Sequence, residues 1–238
     1  MSLKSTRQSG ARRIDSREAK AVARDSQASE RKTVPLRERG VAHSKQIEYA
    51  FINLPFHKEY ETTLLALISG LTAFGLVPQL ISLETRSEHR LLKLIRMLQR
   101  STCSFHDVSY MLRDGRKRVP RFNMPFELGL AVGIAERPTW FVLERQPYRL
   151  QQSLSDLNGI DPLVYGGTDR GIHQVLLKAF DRLDGRITVD LIRRVNSRLR
   201  DYYPGLKREY GPAFSGPCFR RLVYLAAGIF DDEKGKHS

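Results

Sequence analysis

Two carboxylates, Asp107 and Glu127, are the side chains of this sequence best suited to chemistry. Asp107 follows a short apolar segment, and Glu127 lies near the start of a longer apolar stretch. A carboxylate held beside a bound sugar can stabilise an oxocarbenium ion or attack it, which is the chemistry of glycosidic bond cleavage. Four residues that precede Glu127 would give it an apolar collar: Phe122, Met124, Pro125 and Phe126.

Both acids also have purely structural explanations, which remain open. Glu127 could only stabilise a helix N-terminus, which contributes about 0.3–1 kcal/mol. Asp107 could cap the backbone of the loop that follows it, as Asp often does after a strand. Two histidines, His57 and His106, lie nearby. Histidines in such positions are more often ordinary loop residues than catalytic residues.

The stretch 121–135 predicts a loop that runs into the helix carrying Glu127. Asn123 is a good N-cap, and Pro125 suits the first turn because its missing N–H costs nothing there. We expect the helix dipole to keep Glu127 ionised. Gly129 and Gly133, four residues apart, are expected to let this helix approach a neighbour closely.

Strand-like and helix-like segments alternate along the chain. Strands are predicted at 49–54, 76–81, 101–106, 139–143 and 162–165, and helices at 57–75, 88–100 and 169–183 besides the one within 121–135. Such alternation predicts a parallel sheet covered on both faces. We expect an α/β, flavodoxin-like three-layer sandwich of about five strands in the order 2-1-3-4-5, with its crevice at the carboxyl ends of strands 1 and 3.

Three segments converge on that crevice in the predicted topology. They are the loop after strand 1 (54–59), the segment 105–109 after strand 3, and Glu127. The catalytic candidates are Glu127 and Asp107. The substrate-binding candidates are Pro55, Phe56, His57, His106, Ser109, Asn123 and Met124.

Several function classes are disfavoured by what the sequence lacks. Cys103 and Cys218 have no metal-ligand spacing, so we expect no metal site, and two cysteines favour a reducing, cytoplasmic location. The turn after strand 1 is Pro-Phe-His rather than G-x-G-x-x-G, which argues against a Rossmann-type hydride-transfer enzyme. Because no apolar run is long enough for a membrane helix, we expect no membrane association.

Composition divides the chain of 238 residues into three parts. Residues 1–45 contain no Phe, Trp or Tyr, which predicts a basic, disordered arm. The α/β domain spans 46–185, and 186–238 forms a helical extension with helices at 188–202 and 219–230 around a Pro/Gly-rich stretch, 204–217. The net charge of +14, concentrated at both ends, predicts non-specific binding of polyanions through arm and tail.

Three of these features together resemble the nucleoside 2-deoxyribosyltransferase superfamily. They are an opening strand with a Pro-Phe turn (51–56), a third strand that ends in Asp107, and a helix that opens on Phe-Glu-Leu-Gly (126–129). Toll/interleukin-1-receptor (TIR) domains that cleave NAD have a similar fold and a comparably placed glutamate. The stretch 49–183 also looks like bacterial TIR-like proteins with an R-F-N-M-P-x-E-L-G-L segment.

The resemblance implies a function for several of these residues. Glu127 would be the catalytic carboxylate acting at the anomeric carbon, Asp107 would hold the sugar, and Pro55 and Phe56 would line the base or nicotinamide pocket. The ligand would be a nucleotide or NAD, used as substrate without a cofactor, in a homo-oligomer active in bacterial defence. Two alternatives remain: a nucleotide-sensing module without turnover, and a basic protein that interacts with nucleic acid.

Overall fold

The computed structural model describes residues 47–82, 87–109, 123–134, 139–147, 160–180 and 187–236. These residues belong to one compact unit, Val41–Ser238. The predicted arm, 1–45, and the basic run at 116–118 in the loop after strand 3 lie outside the described residues.

The described strands form one parallel sheet, which confirms the predicted α/β fold class and strand order. The sheet order is β2-β1-β3-β4-β5, and every neighbouring pair is parallel. The strands are β1 (Glu48–Asn53), β2 (Leu76–Gln79), β3 (Ser101–Asp107), β4 (Trp140–Glu144) and β5 (Leu163–Val164). The central strands β1 and β3 are buried along their carboxyl-terminal parts, because helices cover both of their faces.

Six α-helices are present in the described part of the chain. They are α1 (Glu61–Ala73), α2 (Ser87–Arg100), α3 (Asn123–Ile134), α4 (Asp169–Ala179), α5 (Val189–Tyr210) and α6 (Gly216–Gly235). The helix predicted from residue 57 begins later, because His57 has an extended backbone and a single 3-10 turn, Lys58–Tyr60, precedes α1. Gly75, at a φ of 76°, ends the α1 region as expected for a glycine in the left-handed conformation.

The two C-terminal helices are longer than the sequence pattern predicts. The first was expected to end at 202, but α5 continues through Pro204 to Tyr210. Tertiary contacts explain this: the Lys207 Nζ atom lies 2.8 Å from Glu61 Oε2 on α1, and the Tyr203 hydroxyl accepts a hydrogen bond from the Ala213 N–H at 3.1 Å. These contacts offset the free energy that is lost when a proline removes a backbone hydrogen bond from the helix interior.

The helical extension shares its hydrophobic core with the sheet. Val195 of α5 and Leu222 of α6 belong to the same buried cluster as Phe105 of β3 and Leu67 of α1. The C-terminal helices therefore complete the layer that covers the α1 face of the sheet.

Many cations of the extension are bound within the protein. Glu233 of α6 accepts hydrogen bonds from Arg194 (3.1 Å), Arg198 (3.0 Å) and Lys236 (2.8 Å). The hydrogen bond from Lys236 leads the effects that lower the pKa of Glu233 to about 2. The arginines of α5 therefore help to hold α6 against α5. Binding of polyanions by the tail stays a prediction. No helix in the described ranges is both long and apolar enough to cross a membrane.

The expectation for the glycines of α3 is wrong. A Cβ atom added at Gly129 or Gly133 would meet no atom within 4 Å in the part of the chain that the structure describes, and both residues are exposed. A close approach occurs instead at Gly70 of α1, where a Cβ atom would overlap the Leu176 side chain of α4. The Gly70 backbone thus allows α1 and α4 to pack closely over the sheet.

Candidate functional site

Hydrogen-bond contacts of Asn53 join the start of α3 to the carboxyl ends of β1 and β3. Asn53 and His106 end up side by side in the parallel register of these strands. The Asn53 Nδ2 atom lies 3.1 Å from His106 Nδ1 and donates to the Met124 carbonyl oxygen at 3.2 Å. This contact places the start of α3 at the carboxyl ends of β1 and β3, and Glu127 follows Met124 by one helical turn.

Glu127 is a nearly buried carboxyl group, with 7% of the residue exposed. Ala131, one turn further along α3, packs in the same cluster as Phe51 of β1, so Glu127 lies on the side of the helix that faces the sheet. Burial raises the pKa of Glu127 to about 7, and the charge of Arg90 opposes this rise. Burial therefore opposes the ionised form that the helix dipole was expected to favour, and Glu127 lies in the second turn of α3 rather than the first.

Arg90 of α2 connects Glu127 to the loop after β1. Its guanidinium carbon lies 5.8 Å from the centroid of the Phe56 ring, and its Nη1 atom donates to the Ser82 carbonyl oxygen at 3.4 Å. Phe56 is half-buried and packs on Phe214 at a centroid distance of 5.0 Å. Arg90 thus interacts both with the Glu127 carboxyl group, whose pKa it lowers, and with the aromatic ring of Phe56.

Asp107 lies in a separate, fully buried network. Its Oδ1 atom accepts a hydrogen bond from the Ser109 N–H at 2.9 Å, and its Oδ2 atom accepts one from the Tyr165 hydroxyl at 2.7 Å. Burial raises the pKa of Asp107 above its ordinary value, although these hydrogen bonds oppose the rise. Both carboxyl oxygens thus have partners inside the protein.

The network continues from Ser109 to other elements. The Ser109 hydroxyl oxygen accepts a hydrogen bond from the Arg145 N–H at 2.7 Å, and the Arg145 guanidinium carbon lies 5.9 Å from the centroid of the Tyr60 ring. Burial, followed by the charge of Asp107, raises the pKa of Tyr60, which also interacts with Ser109 and Tyr165. The ends of β3, β4 and β5 are therefore joined to the 3-10 turn before α1.

The structure does not bring Asp107 and Glu127 together. Adjacent residues of a strand point to opposite faces of the sheet, so His106 and Asp107 face opposite layers. His106 contacts Asn53 and the Phe51 ring on the α2 and α3 side, whereas Asp107 contacts Tyr165 in the layer that contains α1. Consistent with this separation, neither acid is among the causes of the other's pKa shift.

The remaining predicted residues differ in accessibility. His106 is fully buried, its Nε2 atom lies 2.9 Å from the Ser104 hydroxyl, and burial lowers its pKa to about 3, so the imidazole is neutral. Pro55 and Met124 are also buried, whereas Asn123 is exposed. His57 is half-buried, with its Nδ1 atom 3.3 Å from Glu59 Oε1. Of the substrate-binding candidates, Phe56, His57 and Asn123 are therefore the more accessible ones.

Sequence reasoning missed Asn53, Tyr60, Arg90, Arg145 and Tyr165. A usable signal existed for three of them, because Asn53, Arg145 and Tyr165 each end or directly follow a strand. Polar residues at carboxyl ends of parallel strands share one edge of the sheet. Within the described ranges, no three His, Cys, Asp or Glu side chains are grouped so that they could hold a metal ion.

We expect Tyr165→Phe to destabilise the protein by about 1–3 kcal/mol, because it removes a hydrogen bond from the buried Asp107 carboxyl group. The loss should become smaller as the pH falls and the carboxyl group is protonated, since the ionised carboxylate needs the hydroxyl donor more than the neutral acid does. Urea unfolding over a series of pH values measures it. Tyr224→Phe, at a residue that is 79% exposed, is the matched control and should change stability little. Equal losses in both variants would contradict this role of Tyr165.

Comparisons of the chain with known proteins found no relative. The chain matches no protein-family model, no curated protein and no solved structure. The resemblance to deoxyribosyltransferases and TIR-like proteins therefore stays a prediction, and the geometry at the carboxyl edge of the sheet has to support the function.

Proposed function

We propose that this chain cleaves the N-glycosidic bond of a nucleotide, with NAD as the candidate substrate and Glu127 as the catalytic carboxylate. The observation that carries the proposal is the nearly buried Glu127 one helical turn after Met124, where α3 contacts the end of β1. A carboxyl group is seldom buried unless it is paired, so its position there needs an explanation beyond helix stability.

The proposed reaction needs one negative charge beside the anomeric carbon. In NAD the nicotinamide nitrogen carries a positive charge, so when the C1′–N bond breaks, the bonding electrons neutralise the leaving group and no general acid is required. The positive charge then develops on the ribose ring, beside Glu127, and a water molecule adds to C1′ and loses a proton. A carboxylate in a site of low dielectric stabilises such a cation more strongly than one in water.

Arg90, which acts on Glu127, and Phe56, which contacts Arg90, support the proposal. The half-buried Phe56 ring offers an apolar surface for a flat base or for nicotinamide. Arg90 favours the ionised form of Glu127, which is the form that the reaction requires. Asp107, whose oxygens bind Tyr165 and Ser109, is not needed for this chemistry, and we assign it to bracing the edge of the sheet.

The direct test is incubation of the full chain with NAD and quantification of free nicotinamide. Protein concentration should be varied over a wide range, so that activity that depends on assembly is also detected. We expect release of nicotinamide by the wild-type protein and its loss in Glu127→Gln. Saturable binding of NAD without release at any protein concentration would instead support a sensing module and overturn the enzymatic proposal.

The pH dependence of cleavage provides a second prediction. Because ionised Glu127 is the active form and its pKa is about 7, the rate should rise as pH increases from 6 to 8. Arg90→Gln should move the midpoint of this rise to higher pH, since the guanidinium group lowers the pKa of Glu127. Arg96→Gln, on the exposed side of the same helix, is the control and should leave the midpoint unchanged. A rate that is constant between pH 6 and 8 would contradict the role of Glu127.

A further inference from the structure

A polar groove lies along the seam between α4 and α5, on different elements from the Glu127 crevice. Its volume is about 660 Å³, which is within the range of small-molecule sites. The described side chains that line it are almost all polar or charged, and they include no Phe, Tyr or Trp. The groove is therefore suited to a hydrophilic ligand rather than to a flat apolar one.

His173 lines this groove as an unusual buried residue. It is 1% exposed, and neither of its ring nitrogens has a hydrogen-bond partner within the part of the chain that the structure describes. A buried polar group without a partner costs free energy, and such groups in native proteins commonly bind water or a ligand. Burial lowers the pKa of His173 to about 4, so at neutral pH the imidazole offers one donor and one acceptor.

The charged residues of the groove largely neutralise one another. Asp169 lies 2.6 Å from the Arg200 guanidinium, and Asp190 lies 3.2 Å from that of Arg193. The other two charged residues that line the groove, Arg170 and Asp201, are exposed, and neither forms an ion pair with a described residue. Among the described residues that line the groove, one cation and one anion are thus left without an ion pair.

We propose that this groove binds a small zwitterion of the class of free amino acids and short peptides. The anionic end of the ligand pairs with Arg170, the cationic end pairs with Asp201, and a polar atom of the ligand provides the missing partner of His173. A ligand that carried only a negative charge would leave its charge beside Asp201, and one that carried only a positive charge would leave it beside Arg170. Complementarity to both residues therefore selects a zwitterion.

Calorimetric titration of the full chain with the twenty free amino acids and with diglycine tests the proposal. For each zwitterion that binds, its N-acetylated and C-amidated forms serve as matched singly charged probes. We expect saturable binding of at least one zwitterion and at least tenfold weaker binding of both modified forms. Arg170→Gln and Asp201→Asn should each weaken binding at least tenfold, and His173→Leu should abolish it.

The controls are exposed residues outside the groove, Arg208→Gln on α5 and Asp231→Asn on α6, and both variants should bind like the wild type. If His173→Leu fails to fold, the two exposed groove variants still decide the question. Absence of binding by every zwitterion tested would overturn the proposal. So would equal binding of the N-acetylated forms, which would indicate a simple anion site, or wild-type binding by a folded His173→Leu variant, which would indicate that only water meets the imidazole.

Discussion

Replacement of Glu127 by Gln should reduce N-glycosidic cleavage by at least a hundredfold while substrate binding largely persists. The variant keeps the shape of the side chain and removes the charge that is needed as the bond breaks. Each 1.36 kcal/mol of lost transition-state stabilisation lowers the rate about tenfold. Because the ground-state ligand needs this charge less than the transition state does, the loss should appear mainly in kcat.

The same substitution should stabilise the folded protein at neutral and alkaline pH. Glu127 has a raised pKa, about 7, in the folded state, so the folded state holds its proton more tightly than the unfolded chain does. Stability therefore falls as pH rises from the unfolded pKa towards 7 and stays lower above it. A neutral Gln avoids this cost, so the free energy of unfolding at pH 8 should increase by up to about 3 kcal/mol, with little change at pH 4.

Nicotinamide release and urea unfolding of the same preparations measure both effects. Glu209→Gln, at an exposed position of α5, is the control and should keep both activity and stability. A variant at residue 127 that loses activity because it unfolds would be less stable than the wild type at pH 8. The combination of lower activity with higher stability therefore separates a catalytic role from a structural one. Unchanged cleavage by Glu127→Gln would remove Glu127 from the mechanism.

The sheet could be predicted from the sequence because its signals are local. Short apolar segments bounded by Pro55, Gly75 and polar loops are typical of buried parallel strands, and the helices between them leave few possible topologies. The same reasoning placed the start of α3 at the carboxyl ends of β1 and β3. The contact from Asn53 to the Met124 carbonyl oxygen agrees with that placement.

The interior of the site could not be predicted in this way. The pKa of Glu127 depends on how completely the folded chain excludes water from it, and the charge of Arg90 reaches it from a helix almost forty residues earlier. The Asp107 network draws Tyr60, Arg145 and Tyr165 from three separate segments, with no local pattern to connect them. By contrast, once β3 is assigned, His106 and Asp107 can be predicted to point to opposite faces of the sheet, because side chains alternate between the two faces along a strand.

A second large effect is expected from Gly171→Ala, which should destabilise the protein by about 3 kcal/mol. In the first turn of α4, a Cβ atom at this position would overlap the carbonyl oxygen of Tyr165. That backbone has little freedom to move, because the Tyr165 N–H donates to the Glu144 carbonyl oxygen at 2.9 Å and its hydroxyl donates to Asp107. Overpacking against a fixed group forces backbone shifts that cost about 1–3 kcal/mol, occasionally more.

Urea unfolding followed by the fluorescence of the single tryptophan, Trp140 on β4, reports the loss of stability in Gly171→Ala. Gly228→Ala is the matched control, because a Cβ atom there would meet no described atom within 4 Å and alanine favours the α6 helix by about 0.8–1 kcal/mol. The two variants carry the same added methyl group, so opposite changes in stability can come only from its surroundings. If Gly171→Ala were as stable as the wild type, the end of β5 would be free to shift away from α4. In that case Tyr165 could not be a fixed brace for Asp107.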